Sequence, residues 1–371
     1  MKKLAIFRNQ LFKNSEAFIS NQADKITDFE VIYVGRRIVA EQNRKNYYVI
    51  NDDGIYSQKI NEIINAVTTL PCGYDRLEKL DIMHAHFAID AVYALPIAAR
   101  QSIPLVTTLH GFDVTIKTKK IITSLSPSLL NYKLHTAQLK REGSLFLCVS
   151  DFIREKALAA GFPDKKLITH YIGIEDNTVN NINIKKERVF LHIARLVEKK
   201  GTLDIIDAVK KIENKLNGFK IKIVGNGPLY NDIKNKIDLL GLNRHIELVG
   251  EVKHKDIMKI IQSSSVLLAP SITAKNGDSE GLPTVILEAA AAGVSTIGTH
   301  HAGIPEAILD GKTGFLVNER NISDLAERML HFINHESDIA KYGNEANIFV
   351  KNKFNLEKQT QLLQQYYSKL I

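Results

Sequence analysis

At 371 residues the chain is longer than a single hydrophobic core usually supports, so two domains are expected. Hydrophobic residues make up 44% and charged residues 24%, as in an ordinary globular protein, and no apolar run is long enough to span a bilayer. The net charge of +8 comes without a long basic run or a nucleic-acid motif. That argues against nucleic acid and leaves anionic substrates, or an anionic membrane surface, as partners.

Taken in chain order, the charged start Met1-Lys2-Lys3 is followed by an apolar run too short for a secretory signal, which reads as a first buried strand over Lys3–Phe7. Asn14 to Gln22 opens the first helix, with Ser15 as its cap. Further strands are predicted over Phe29–Val34, Ile82–His86, Leu105–Leu109 and Leu145–Val149. In the second half they fall at Val189–Ile193, Lys220–Val224, His245–Val249, Val266–Ala269 and Val294–Gly298. Helical patterns lie between them at Phe152–Ala160, Thr202–Lys215, Leu229–Leu240, His254–Gln262 and Pro283–Ala292. This alternation predicts an α/β fold with two doubly wound parallel sheets, each covered on both faces. A polar, turn-rich stretch over 177–187 reads as a linker between domains at 1–176 and 188–353, and 354–371 reads as a closing helix. Cys72 and Cys148 lie far apart without metal spacing, which suits a reduced, cytoplasmic protein. The cations Lys117, Lys119, Lys120 and Lys133, Lys140, Arg141 read as a solvated face, or as a patch for an anionic membrane.

The chemistry concentrates at Ser279-Glu280-Gly281-Leu282-Pro283-Thr284, which runs into an apolar helix carrying Glu288. An ionised carboxylate among core residues needs a partner. Pro283 suits the first helical position, and Gly281 permits a tight turn before it. The free N–H groups of the helix start, with the positive end of its dipole, form an anion site. Arg195 and Lys200 follow a predicted strand at its carboxyl end, where open sheets bind ligands, and two cations there suit a diphosphate. Lys199 reads as an exposed loop residue. Gly225-Asn226-Gly227 follows another strand as a tight turn. His84 and His86 share a strand face, yet no third ligand with sensible spacing follows, so no metal is expected.

Glu280, Gly281, Pro283 and Glu288, followed by Gly293, Gly303-Ile304-Pro305-Glu306 and Asp310-Gly311-x-x-Gly314, closely resemble the signature of the retaining GT-B glycosyltransferases, group 1. The Arg195, Lys200, Gly201 spacing and the Gly225–Gly227 loop are similar to further elements of that family. So is His110-Gly111-x-Asp113. The start Ser15-Glu16-x-Phe18-Ile19 resembles the capsule and exopolysaccharide, colanic-acid-type branch, in place of the glycine-rich first loop of many members.

The resemblance implies two Rossmann-like domains facing a cleft, with the last helix returning to the first domain. It implies transfer of a sugar from a nucleotide-diphosphate sugar, a UDP-sugar by preference, to a saccharide acceptor, lipid-linked and at the inner membrane face. Glu280 would contact the transferred sugar, with Asn276 and Asp278 in a loop facing it. Glu288 would bind the ribose, and Val252 would lie in a base-contacting loop. Arg195, Lys200 and the backbone at Gly281, Leu282, Pro283 and Thr284 would hold the diphosphate near Gly225 and Gly227. His110 would face the sugar, and Ser15, Glu16, His86 and Asp113 the acceptor side. No Asp-x-Asp element is present, so no metal or other cofactor is expected. A nucleotide-sugar 2-epimerase and a non-catalytic nucleotide-sugar-binding subunit are the alternatives.

Overall fold

The structure is a computed structural model that describes residues 1–13, 16–40, 46–50, 56–116, 126–175 and 186–371. Ser15, Lys117, Lys119, Lys120 and most of the 177–187 stretch lie outside the described residues. The chain divides into two compact units, Met1–Gly173 with Leu356–Ile371, and Ile174–Asn355.

The strands of the first unit are β1 (Lys2–Phe7), β2 (Gln10–Leu11), β3 (Phe29–Gly35), β4 (Arg37–Ile38), β5 (Tyr47–Val49), β6 (Ile82–His86), β7 (Leu105–Leu109), β8 (Leu145–Cys148) and β9 (Leu167–Thr169). Seven form a parallel sheet in the order β5-β3-β1-β6-β7-β8-β9, while β2 and β4 pair separately. Every residue of β6 and β7 is buried, as expected of strands covered on both faces. The second unit holds β10 (Val189–Ile193), β11 (Lys220–Val224), β12 (Ile246–Gly250), β13 (Val266–Ala269), β14 (Ser295–Thr299) and β15 (Gly314–Val317), in the order β12-β11-β10-β13-β14-β15. Strand order reverses between β1 and β6 in one sheet and between β10 and β13 in the other. Open α/β sheets bind ligands at the carboxyl ends flanking such a reversal.

Covering helices place apolar residues inward at helical spacing. Leu325, Ala326, Met329, Phe332 and Ile333 are the buried face of Ile322–Asn334, which Asn321 caps by accepting from the Asp324 N–H at 3.2 Å. Leu363 and Tyr367 of the last helix, Leu356–Ser368, join the core of the first unit. The helix Tyr56–Thr68 is the reverse case. Tyr56, Ile60, Ile63 and Val67 are 79%, 41%, 63% and 55% exposed, whereas Asn65 is fully buried.

Several elements differ from the sequence reading. The short strands β5, β9 and β15 were not predicted, since runs of three or four residues carry little periodic signal. The expected helix Thr202–Lys215 ends at Ile212 and closes with a 3-10 turn over Glu213–Lys215. Pro283 has ψ +112 and stands just before the helix, which runs Thr284–Ala291, so it ends the loop rather than starting the helix. Among the described residues no helix is long and apolar enough to cross a membrane.

Candidate functional site

The strand reversal of the second unit brings together two loops that are far apart in sequence. After β10 the chain passes Arg195 and makes a 3-10 turn over Glu198–Lys200. It then turns at Gly201, whose φ is +65 and whose added Cβ would lie 1.9 Å from the Pro270 carbonyl oxygen. Only glycine tolerates that approach. The Ile272 N–H donates to the Lys199 carbonyl at 2.8 Å, fastening the loop after β13 alongside.

Glu280, 7% exposed, then sits with its Oε1 3.0 Å from Lys200 Nζ and 3.7 Å from Lys199 Nζ. Burial alone would raise the Glu280 carboxyl, but the two lysines outweigh it and hold it below its ordinary value. Charge attraction leads this pairing, with a smaller hydrogen-bond contribution from Lys200 to an Oε1 that is poorly aligned and closed to solvent. Lys199 also pairs with Asp278 at 3.0 Å and is largely buried, which corrects its reading as an exposed loop cation. Lysines in such a network lose their solvent on pairing, which loop composition does not reveal.

The Ala274–Asp278 loop is closed on itself. The Asp278 N–H donates to Asn276 Oδ1 at 2.9 Å, the Ala274 N–H to the Asp278 carbonyl at 3.0 Å, and Gly277 takes φ +88. The left-handed residue ahead of the helix is thus Gly277 rather than Gly281. Gly281 instead accepts from the Gly303 N–H at 3.1 Å, which anchors the buried Leu282 and Pro283 and the half-buried Thr284. The first N–H groups of that helix have no acceptor within it. Glu288 is half-buried rather than enclosed in the core, because one side of this helix reaches the surface.

Sequence reasoning missed His301, which follows β14. Its Nε2 accepts the Glu280 N–H at 3.2 Å, and its Nδ1–H donates to Glu319 Oε1 at 2.7 Å. Glu319 also accepts from the Thr273 N–H at 2.8 Å. Burial raises the Glu319 carboxyl, and Thr273 and His301 together bring it below its ordinary value. A carboxylate thereby fixes the histidine tautomer that holds the Glu280 backbone. The position just past a strand's carboxyl end was the available signal.

Arg195 is exposed, and its segment packs against the glycine loop. Gly225 has φ +133, and an added Cβ would lie 1.9 Å from the Ala194 carbonyl oxygen; at Gly227 one would lie 2.5 Å from that of Leu196. The Gly225 N–H donates to the Gly250 carbonyl at 2.7 Å, bringing the chain near Val252 to the same end of the sheet. The structure therefore gathers Arg195, Lys200, Gly225, Gly227, Glu280 and the helix start at one end of β10, β11 and β13.

The first unit gathers another group where β1, β6 and β7 end. His86, 3% exposed, has its Nδ1 3.1 Å from His110 Nε2, and Phe87 stacks on His110 with centroids 4.3 Å apart. Burial, then neighbouring positive and titratable groups, push both histidines well below their ordinary value, so they are neutral near pH 7. Arg8 is 7% exposed and binds Glu16 (2.7 Å), Asp90 (2.5 Å) and the His86 carbonyl (3.1 Å). Glu16 is therefore held by an arginine rather than projecting alone. Asp113 turns inward at 2% exposure and accepts from the N–H groups of Ala88, Gly111 and His110 at 2.9, 2.9 and 3.2 Å. Burial still raises its carboxyl. His84 contacts Tyr367 Oη at 2.6 Å and Thr108 Oγ1 at 2.7 Å. Among the described residues no group of three or more His, Cys, Asp or Glu is arranged to hold a metal.

Comparison with known proteins adds family, relatives and fold. A profile described as Glycosyl transferases group 1 matches residues 174–352, and one described as Glycosyltransferase Family 4 matches residues 32–178. The putative colanic acid biosynthesis glycosyltransferase WcaL of Salmonella typhimurium is 29% identical over 264 residues, 69% of this chain and 63% of that protein. The amylovoran biosynthesis glycosyltransferase AmsK of Erwinia amylovora is 30% identical over 253 residues, 67% of this chain and 60% of that protein. The match thus spans less than two thirds of either relative. Among solved structures, Anabaena Alr3699/HepE in complex with UDP and glucose superposes with a TM-score of 0.79 at 17% identity, covering 100% of both chains, which establishes the GT-B fold.

Proposed function

We propose that the chain, which carries a group 1 glycosyltransferase domain over residues 174–352 and a Glycosyltransferase Family 4 match over 32–178, moves a sugar from a nucleotide-diphosphate sugar to a saccharide acceptor, with retention at the anomeric carbon. The observation that carries this reading is the buried Glu280 held by Lys199 and Lys200 at the strand reversal, beside an open helix start. In this reading Glu280 receives hydroxyls of the transferred sugar, and Glu288 receives those of the ribose. Arg195, Lys200 and the N–H groups near Leu282 and Thr284 offset charge building on the departing diphosphate. That is electrostatic stabilisation prepared before reaction, without a metal. His110, neutral in its stacked position, serves as a hydrogen-bonding group on the sugar and not as a cation.

The UDP in the Anabaena complex supports a UDP-sugar as donor, and the names of the enterobacterial relatives support exopolysaccharide assembly as the process. A lipid-linked acceptor at the inner membrane face is supported by the exposed apolar face of Tyr56–Thr68, with Lys59, Lys133 and Arg141 exposed on that helix and on Pro127–Glu142. Such a face flanked by cations suits an anionic lipid surface.

The test is a thermal-shift screen of the full chain against UDP-, GDP- and ADP-sugars in EDTA, followed by anomeric analysis of the product. A ligand at 100 times its dissociation constant adds about 2.7 kcal/mol. Stabilisation by a UDP-sugar and an anomer matching the donor are expected. A requirement for divalent metal, or an inverted product, refutes the corresponding part. Glu280→Ala and Lys200→Ala should each lower turnover strongly in folded protein; near-normal transfer by both removes the site assignment.

A further inference from the structure

The carboxyl ends of β1 and β3 carry a pocket that the donor chemistry leaves unused. Beyond the sheet, β2 and β4 continue the two strands and pair Gln10 with Arg37. Between them, the helix Tyr56–Thr68 and the start of the helix Pro127–Glu142 lies a pocket of about 310 Å³, walled by Asn9, Gln10, Arg36, Arg37, Glu62 and Ser128. That volume is at the lower end of small-ligand sites, roughly 300–1,000 Å³.

Two deeply placed groups in its wall lack the partners their chemistry calls for. Arg36 is 9% exposed and lies 4.9 Å above the Tyr93 ring, yet its guanidinium makes no ion pair or hydrogen bond among the described residues. A cation so placed without a counter-charge is costly. Asp90 is taken by Arg8 and Asn9, and Glu62, in the same wall, forms no ion pair with Arg36 among the described residues. Asn9 is 4% exposed. Its Nδ2 donates to Asp90 Oδ1 at 2.7 Å, which orients the amide and leaves Oδ1 buried with no donor. Ser128 stands in the first turn of a 16-residue helix, where unpaired N–H groups and the dipole also favour negative charge.

An anion alone would satisfy Arg36 and leave Asn9 wanting, since Oδ1 needs an O–H or N–H donor. A neutral sugar would do the reverse. We propose that this pocket binds a sugar that carries an anionic group, phosphate or carboxylate. Its charge is held by the Arg36 and Arg37 forks, and one of its hydroxyls donates to Asn9 Oδ1 once that side chain, closed to solvent in this structure, turns toward the pocket. The guanidinium fork matches either oxyanion bidentately. Assigning the ligand to the acceptor rests on the glycosyltransferase reading; the binding itself does not.

The test is calorimetric titration of the full chain with glucose 1-phosphate, glucuronate and glucose, each with UDP present to fill the donor site. At least one anionic sugar should bind, and neutral glucose should bind at least about tenfold more weakly. Which anionic sugar binds more tightly tells phosphate from carboxylate. Arg36→Gln and, separately, Arg37→Glu should weaken the anionic sugar by at least about tenfold while UDP affinity stays at the wild-type value. Arg37 is exposed, so its substitution decides the matter if Arg36→Gln fails to fold. The proposal is overturned if neither anionic sugar binds, if glucose binds equally well, or if Arg37→Glu and folded Arg36→Gln bind as wild type does. It is equally overturned if binding is lost in Lys200→Ala but kept in Arg36→Gln, which assigns it to the donor site. Failure of UDP itself to bind would remove the donor reading and leave this pocket to be judged on the anionic sugars alone.

Discussion

Replacing Lys199 and Lys200 by alanine, singly and together, should destabilise the second unit in a strongly non-additive way. Their ammonium groups lie 3.7 and 3.0 Å from the same Glu280 oxygen. At an effective dielectric of about 20 the two attractions are about 4.5 and 5.5 kcal/mol, before the cost of burying the charges. Either lysine alone still neutralises the carboxylate, so each single variant should lose no more than about 1 kcal/mol. The double variant leaves a buried charge unpaired and should lose about 3–5 kcal/mol, and adding Glu280→Gln should return most of it. The pH dependence carries a sign. In the wild type the Glu280 carboxyl is held below 4.5, so its contribution is complete above that value and is lost as pH falls through the folded value. Without the lysines burial dominates, the folded value rises, and stability is lost as pH climbs above about 4.5. Urea midpoints, read by hydrogen exchange on peptides from 186–355 at pH 5 and pH 8, measure both effects. Additive single losses, or a double variant whose midpoint does not fall from pH 5 to pH 8 relative to wild type, would refute the shared-carboxylate account.

Gly225→Ala should cost about 3 kcal/mol or more, because φ is +133 and the new Cβ meets the Ala194 carbonyl; Gly241→Ala, at φ +71 with open space around it, should cost about 1 kcal/mol. Equal losses in denaturant midpoint would contradict the packing argument. Burial lowers His84 to about 3 and His192 to about 4, against 6.5 in the unfolded chain. The unfolded state therefore takes up the extra protons as pH falls below 6.5, and stability should drop by about 1.4 kcal/mol per pH unit per histidine toward those values. Midpoints constant between pH 6.5 and pH 5 in both units would oppose this. Ile63→Lys with Val67→Lys, both at exposed positions, should leave stability within about 0.5 kcal/mol per site but cut co-sedimentation with anionic vesicles about tenfold. Unchanged sedimentation would remove lipid as the contact of that face.

Much of this molecule was legible in its residues. Strands such as Ile82–His86, Leu105–Leu109 and Val189–Ile193 are buried on both faces, so they appear as short apolar runs between helical patterns and can be placed to the residue. Pro283 marks the boundary of loop and helix near Glu280 because backbone constraint is local, whereas the left-handed turn falls at Gly277 and not at the expected Gly281. What depends on strand order was not legible. Lys199 and Lys200 meet Glu280 only because β10 lies beside β13, some 70 residues away in sequence. The same adjacency, carried on to β14, sets His301 under the Glu280 backbone. Asn9 and Arg36 face one pocket because β1 lies beside β3, and nothing in either residue's neighbourhood reports the missing partner of the other. The helix Tyr56–Thr68 was not among the elements read from the sequence, and its apolar face points outward. Burial there was decided by Asn65 and by Asn131 of the neighbouring helix, whose amides bond to backbone carbonyls and hold the polar side inward. Local sequence sets backbone conformation and the period of side chains, whereas partner, burial and charge state depend on which distant segment the sheet order brings alongside.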